Sequence, residues 1–370
     1  VRNGARSTTP AAPETAAVSA VVTNFNSGER LERVLRALEA QDVRVVETIV
    51  VDCGSSDDSL RRALRAFPAA AVVRLAENRG PGAARNAGLR RAASDLVLLL
   101  DHDVYLEPGA LRALLEARRA SGAAVAVPRI VLYPRTDTVQ ADGAEAHFLG
   151  TMTLRNAWRS RDGAPGVTRP VGACLSGCLL VERAVALEAA GYDEAYFFYL
   201  EDLEFGLRLR SRGHAIVVEP RAVALHDRGA GTPGLAFRDD AASRYPPLRG
   251  YYTQRNRLRI VLTYYRPRTL LALLPALAAY EGITLAGALT RGWAGEWARA
   301  WLATAGSAGA ILRARRAVQG NRRVSDRALL SGGPVPLAPN FLRSDAERRW
   351  ANGLSTALDG WWRVARRWIG

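Results

Sequence analysis

Leu96-Val97-Leu98-Leu99-Leu100-Asp101-His102-Asp103 is the stretch on which the fold turns. A short, unbroken apolar run closed by acids predicts a strand covered on both faces. The acids at its end then stand where open α/β sheets bind ligands, beyond the C-terminal ends of the strands. Carboxylates one residue apart suit a hard cation such as Mg2+ or Mn2+, and a cation there can hold phosphates. A solvated turn with a helix-capping Asp would show the same letters, so the flanking chain has to decide.

Upstream, the pattern alternates. Strands are expected at 18–24, 45–52 and 71–75. Helices are expected from Ser27 as cap to about residue 40, from Asp57 or Asp58 as cap through Phe67, and over 81–93. This repeated βα order implies a parallel sheet with helices on both faces. Downstream the order is mixed: a helix at 108–120, a strand at 123–127, and an irregular stretch over 128–170. A strand at 177–181, helices at 183–190 and 201–212, and a strand pair at 215–218 and 222–225 follow. Residues 228–248, rich in Gly and Pro, read as a loop, and the chain beyond 250 reads as wholly helical.

Charge divides the chain unevenly. The 51 basic residues are all Arg. Residues 250–370 hold 19 Arg against 6 acids, which leaves the rest of the chain near neutrality. Such asymmetry points to a polyanionic partner, an anionic membrane surface or nucleic acid, yet no nucleic-acid module is recognisable. Cys53, Cys174 and Cys178 are too few for a disulfide framework, lack the spacing of a zinc site, and fit a reducing cytoplasm. Residues 1–16 lack the apolar core of a signal peptide and are expected as a disordered lead-in. Residues 17–250 are then expected as one domain and 251–370 as a basic helical, membrane-associating region.

Four further segments carry chemistry. Asp52 ends the second strand before Cys53-Gly54, placed to accept from a nucleobase N–H. Asn78-Arg79-Gly80-Pro81-Gly82-Ala83-Ala84-Arg85 is a Gly-rich helix start, where small residues admit a ligand and Arg85 can pair with a diphosphate. Glu201, Asp202 and Glu204 open a helix. Adjacent acids resist ionising together, which can make one a useful general base. His226 ends the last strand of the domain and is a candidate metal ligand.

The order and spacing of these segments resemble the inverting glycosyltransferases of family 2, which have the GT-A fold. The match runs in register through Val21-Val22-Thr23-Asn24-Phe25-Asn26, the Asp52 turn, the Asn78–Gly88 segment, Asp101-His102-Asp103, and Gly191–Glu204 with His226. Tyr251-Tyr252-Thr253-Gln254-Arg255-Asn256 is similar to the rhamnosyltransferase-like bacterial branch. The resemblance implies a Rossmann-like mixed sheet flanked by helices. It implies Thr23, Phe25 and Asn26 at the donor, with Thr23 and Phe25 lining the base pocket, and Asp52 on a uracil or thymine imide. Arg85 would face the diphosphate and Asp101 the ribose. Asp103 and His226 would hold Mg2+ or Mn2+, and Asp202 would be the catalytic base with Glu201 beside it. Departures are Thr23-Asn24-Phe25-Asn26 where Pro-Thr-Tyr-Asn is common, Cys53 where Asn is frequent, and Glu204 where many members have Asp.

On this reading the partners are a nucleoside-diphosphate sugar, dTDP-rhamnose or a UDP-sugar, and a polyprenyl-linked or other glycan acceptor. An anionic membrane surface is expected and nucleic acid is not. Residues 270–289 are apolar enough to span, but Glu281 near their middle argues for a buried or interfacial helix. Trp293, Trp297 and Trp301 form one helical stripe. Trp361, Val364, Ala365 and Trp368 share a face off which the neighbouring Arg lie, as in a helix lying in the interface. The expected place is the cytoplasmic face of the cell membrane, peripheral or monotopic. A homodimer is left open. Two rivals remain at this stage: a sugar-1-phosphate nucleotidyltransferase, whose usual Gly-rich signature Asn26-Ser27-Gly28-Glu29 lacks, and a non-catalytic basic scaffold.

Overall fold

The computed structural model describes residues 17–227, 246–335 and 344–370. The expected lead-in and most of the expected 228–248 loop lie outside these residues. Strands β1 (Val18–Asn24), β2 (Val45–Asp52), β3 (Ala71–Arg74) and β4 (Leu96–Asp101) pair in parallel in the order β4-β1-β2-β3. Alternation along β1 sorts its side chains. Val18, Ala20 and Val22 pack with helices α1 (Arg30–Glu39) and α2 (Ser59–Ala66), while Val21 faces α3 (Pro81–Arg91). Both faces are covered, which is why β1 and β4 are almost uniformly apolar.

The chain continues through β5 (Val104–Leu106), α4 (Ala110–Ser121), β6 (Val125–Tyr133), β7 (Val139–Ala141), β8 (Ala144–Ala146), β9 (Met152–Leu154) and β10 (Arg169–Pro170). Then come β11 (Cys178–Glu182), α5 (Arg183–Glu188), α6 (Glu201–Ser211) and β12 (Ile216–Asp227). The sheet order is β10-β12-β6-β11-β4-β1-β2-β3, with β5 on β12 and β7 on β6. β11 runs antiparallel between β4 and β6 and makes the sheet mixed.

Three local expectations need correction. Ser27 does not cap α1: its hydroxyl donates to Asn24 Oδ1 at 2.5 Å, and the helix starts at Arg30. The strand expected at 123–127 runs on to Tyr133, because Arg129 inside it is neutralised by a buried bidentate pair with Asp142 (2.7 and 2.8 Å). The expected strand pair at 215–225 is one strand, β12, irregular between Glu219 and Val223.

Six helices follow: α7 (Pro247–Tyr264), α8 (Pro267–Arg291), α9 (Ala294–Gly306), α10 (Ala308–Gly320), α11 (Asp326–Leu329) and α12 (Asp345–Ala365). They share a core with the sheet half, in which Phe148, Tyr196 and Leu203 meet Ile260, Tyr264, Leu273 and Trp362. Among the described residues α8 alone has the length and apolar composition of a membrane span. Its Glu281 is not stranded: it pairs with Arg257 of α7 and accepts from Gln254 Nε2 at 2.7 Å. The tryptophans divide. Trp293 is buried, whereas Trp301, Trp361 and Trp368 are exposed. Ala365 turns inward, so it leaves the face expected of it, and Val364 stays outside.

Candidate active site

Register brings the first acids together. Thr23 lies opposite Asp101 across β1 and β4, and Asn24 opposite Asp52 across β1 and β2. The Asn24 amide donates to Asp52 Oδ1 (2.7 Å), and the Ser55 N–H donates to Asp52 Oδ2 (3.3 Å). Asn26, at φ +46°, accepts the N–H of Ser56 (2.8 Å) and of Asp57 (3.3 Å), tying the loop after β1 to the loop after β2. Phe25 is half-buried against the core on the α3 side of the sheet.

Arg85 stands at the centre. α3 is built of Gly and Ala, and Gly88 lets it press directly on Val21 of β1. That close approach carries Arg85 inward until it is 2% exposed. Its Nη2 donates to both oxygens of Asp101 (2.8 and 2.9 Å), and Nη1 reaches Glu201 Oε1 (3.4 Å). The Tyr192 ring lies 5.3 Å from the guanidinium. Both residues expected at the donor have protein partners here. Arg85, expected to face the diphosphate, is held by the Asp101 and Glu201 side chains, as a buried guanidinium must be paired. Thr23, expected to line the base pocket, is buried, and its hydroxyl donates to Asp101 Oδ1 (3.0 Å). Asp101 accordingly accepts from both side chains as well as standing at the strand end expected for a ribose contact.

The acid pair opens α6. Glu201 is buried, and its Oε2 has no hydrogen-bond partner among the described residues. Asp202 Oδ1 accepts the Leu203 N–H (2.8 Å). Both carboxyls sit above their ordinary range. Burial is the main cause for each; the Asp202 charge pushes Glu201 further up, and Arg85 opposes both shifts. The chain reaches this pair through a strained turn. Phe197, Tyr199 and Leu200 have φ of +58°, +64° and +61°, conformations that cost about 1–3 kcal/mol each and cluster at functional sites. The Gly80 backbone packs against the Phe197 carbonyl so closely that a Cβ there would collide with it. The glycine therefore admits this turn, where the sequence had suggested a ligand.

The third acid faces the other way. After β4 the chain turns at His102-Asp103, and β5 pairs with the end of β12, with Val104 opposite His226. His226 Nε2 lies 3.6 Å from Asp103 Oδ2, and its Nδ1 is 2.7 Å from Gln140 Oε1. An amide oxygen only accepts, so Nδ1 carries the hydrogen and Nε2 is directed at the carboxylate. Burial works against the Asp103 charge, but His226 in its protonated form, with a hydrogen on Nε2 as well, outweighs it by charge and hydrogen bond and holds the carboxyl down at about 2. A carboxylate beside an oriented imidazole fits Mn2+ or Mg2+, with Gln140 as the outer partner that metal-binding histidines keep. Among the described residues no group of three His, Cys, Asp or Glu could hold a metal. Two protein donors still fit ions that retain waters and take substrate phosphates.

Sequence reasoning had singled out neither Gln140, Tyr192 nor Asn86, whose amide donates to the Tyr192 carbonyl (2.9 Å). The site partners named for them here lie about a hundred residues away along the chain, and no local spacing announces them.

Residues 19–173 match the family model described as Glycosyl transferase family 2. The chain is similar to the N-acetylglucosaminyl-diphospho-decaprenol L-rhamnosyltransferase of Mycobacterium tuberculosis, 29% identical over 234 residues, 57% of this chain and 76% of that protein. It is also similar to succinoglycan biosynthesis protein ExoO of Rhizobium meliloti, 34% identical over 146 residues, 39% of this chain and 40% of that one. Among solved structures it resembles S. aureus TarS 1–349, with a TM-score of 0.53 at 17% identity over 94% of this chain and 91% of that one. It also resembles GalNAc-T7 with UDP, GalNAc and Mn2+, with a TM-score of 0.54 at 15% identity over 72% of this chain but only 52% of that one. At such identities the structures establish the fold, GT-A, as the sequence led us to expect. The family match, over residues 19–173, favours the glycosyltransferase reading over the nucleotidyltransferase and scaffold readings.

Proposed function

We propose that this chain is a family 2 glycosyltransferase that transfers a sugar with inversion, in a metal-dependent reaction, from dTDP-rhamnose or a UDP-sugar to a lipid-linked or polysaccharide glycan acceptor. One observation carries the reading: Arg85 ties the end of β4 to the start of α6 and so holds Glu201 and Asp202 beside the strand ends that bear Asp52 and Asp101.

In this reading Asp52 is pre-oriented by Asn24 and Ser55, and each carboxylate oxygen retains a lone pair for the imide N–H of uracil or thymine. Phe25 flanks the base and Asp101, fixed by Arg85, meets the ribose. Asp103 and His226 would hold the cation, which when bound neutralises charge building on the leaving diphosphate. Asp202 takes the proton of the acceptor hydroxyl as that oxygen bonds to the anomeric carbon. The bond from that carbon to the diphosphate oxygen breaks on the opposite face, and the nucleoside diphosphate leaves with the electron pair. Glu201, kept protonated by burial, leaves Asp202 as the ionised member of the pair. A thermal-shift screen of UDP, dTDP and GDP sugars with Mn2+ tests the donor: a shift with one base class names it, and none with any sinks the proposal.

A lipid-linked acceptor needs the enzyme at a membrane, and we assign that contact to α8 and α12. Trp361 Nε1 donates to the Ala272 carbonyl (2.9 Å), so the two helices lie side by side. Together with the residues that follow α12 they expose Leu271, Leu274, Trp361, Val364 and Trp368, the last at 75%. Arg363, Arg366 and Arg367 flank the patch in sequence, as suits the interface of the cytoplasmic leaflet. Cosedimentation with anionic vesicles should fall in the Trp361→Ser, Trp368→Ser double variant with donor binding unchanged. Equal binding by variant and wild type would refute this face.

A further inference from the structure

We infer that Asn256, oriented by Arg255, is a positioning residue that latches the turn in front of the acid pair. The inference rests on Asp202 as the base, and gives a role to the Arg255-Asn256 pair that the transfer reaction leaves unexplained. Asn256 lies on α7, is fully buried, and is almost sixty residues away from the turn it touches. Its amide nitrogen stands 2.9 Å from the Tyr196 carbonyl, 2.9 Å from that of Phe198 and 2.6 Å from that of Tyr199. Two hydrogens are thus shared among three carbonyls of one turn. Arg255 fixes which way the amide faces, donating to Asn256 Oδ1 from Nε (3.0 Å) and Nη2 (2.8 Å). The same Nη2 reaches the carbonyls of Ala195 and Tyr196, each at 2.8 Å.

The turn needs such a hold. Phe197, Tyr199 and Leu200 all lie in the left-handed region that side chains avoid, and the next residues are Glu201 and Asp202. Carbonyls displaced by this backbone cannot join a helix or strand ladder, so they must find donors elsewhere. α7 supplies them, while Gly80 closes the other side of the turn. Strain of this kind persists only where the surroundings over-determine it. With the latch released the turn relaxes toward ordinary dihedrals and carries the start of α6 with it. α7 is also the helix on which the membrane-facing part rests. Gln254 and Arg257 grip Glu281 of α8, and Arg299 of α9 lies 4.8 Å over the Tyr251 ring. One heptad of α7 therefore holds the catalytic turn and the C-terminal helices together.

The test is Asn256→Asp, which keeps the shape and removes both donors, beside Arg255→Ala, which spares the buried amide. Hydrogen exchange of the amides at 197–203 should quicken in Asn256→Asp and less so in Arg255→Ala, with β1 and β4 unchanged. kcat should fall by about 100-fold in Asn256→Asp, the scale of a small misplacement of a reacting group. It should fall by less in Arg255→Ala, with the donor KM held within about twofold of wild type in both. Unchanged exchange at 197–203 in both variants overturns the latch whatever becomes of turnover. So does quickened exchange with wild-type kcat, or a loss that appears in donor KM and leaves kcat alone. If Asn256→Asp does not fold, Arg255→Ala decides by the same two readouts. Asp202→Asn, run alongside, separates the two claims: wild-type turnover there overturns the base assignment, and the latch is then judged by exchange alone.

Discussion

Asp101 and Asp103 are separated by a single residue and live in opposite surroundings. On the Asp101 side the surroundings are protein: a buried guanidinium and a buried hydroxyl bond the carboxylate, and the same guanidinium reaches Glu201 of the acid pair. On the Asp103 side there is a carboxylate, one imidazole and the amide that orients it. The first environment raises carboxyl pKa values and the second lowers one. One side keeps a proton on Glu201 and leaves Asp202 free to accept one from a hydroxyl; the other is built to stay anionic. The turn at His102 makes the difference, with one acid on Arg85 of α3 and the other beside His226 of β12.

The largest effect should come from the proton-holding side. Asp202→Asn keeps the shape and the capping bond to Leu203 through its amide oxygen but cannot take a proton. We expect kcat to fall by about 10²–10⁴, the usual contribution of a placed base, with sugar-nucleotide binding by thermal shift close to wild type. If binding and turnover fell together, the two sides would not be separable and the contrast would break.

The next effect sharpens the open side. Gln140 touches no expected substrate and acts only through His226. Gln140→Ala frees the imidazole to rotate and to change tautomer. Loss of such an outer partner typically weakens metal binding about 10–100-fold. The Mn2+ concentration for half-maximal activity should rise by that factor, with turnover at saturating Mn2+ nearly restored, and excess chelator should silence both proteins. Full activity in chelator would falsify the cation role of Asp103 and His226.

How much of this was legible in the letters follows the same contrast. β1 and β2 were readable to the residue, because β-branched runs that end in a buried stretch closed by Asn24 and Asp52 read as strands. The acids were readable as acids. What Arg85 does was not: a Gly-rich helix start is an equally good phosphate site or packing device, and its real partners lie 16 and 116 residues away. The 128–170 stretch hid its strands because Arg129 looks polar until Asp142 is seen folded against it. Asn256 was visible only as part of a motif; its partners are backbone carbonyls, which every residue carries and no sequence pattern marks.

The smallest effect is on stability, and it differs in sign between the two sides. In the fold Glu201 and Asp202 hold protons above their ordinary values of 4.5 and 3.8. From there upward the folded state binds protons that the unfolded state has released, so this side loses stability as pH rises. Asp103 is lowered from 3.8 to about 2, so its contribution is complete above 3.8 and disappears as pH falls toward 2. His147, which burial lowers from 6.5 to about 4, adds a further loss on the acid side, since the unfolded chain takes up that proton first. A melting curve of wild type alone would mix these terms. Differences isolate them, because His147 is common to every variant. Glu201→Gln should lose fewer degrees than wild type as pH is raised from 5 to about 8. Asp103→Asn, without added cation, should lose fewer as pH is lowered from 4. Parallel pH profiles for wild type and both variants would mean that the two carboxylate environments are electrostatically alike, whatever their distances suggest.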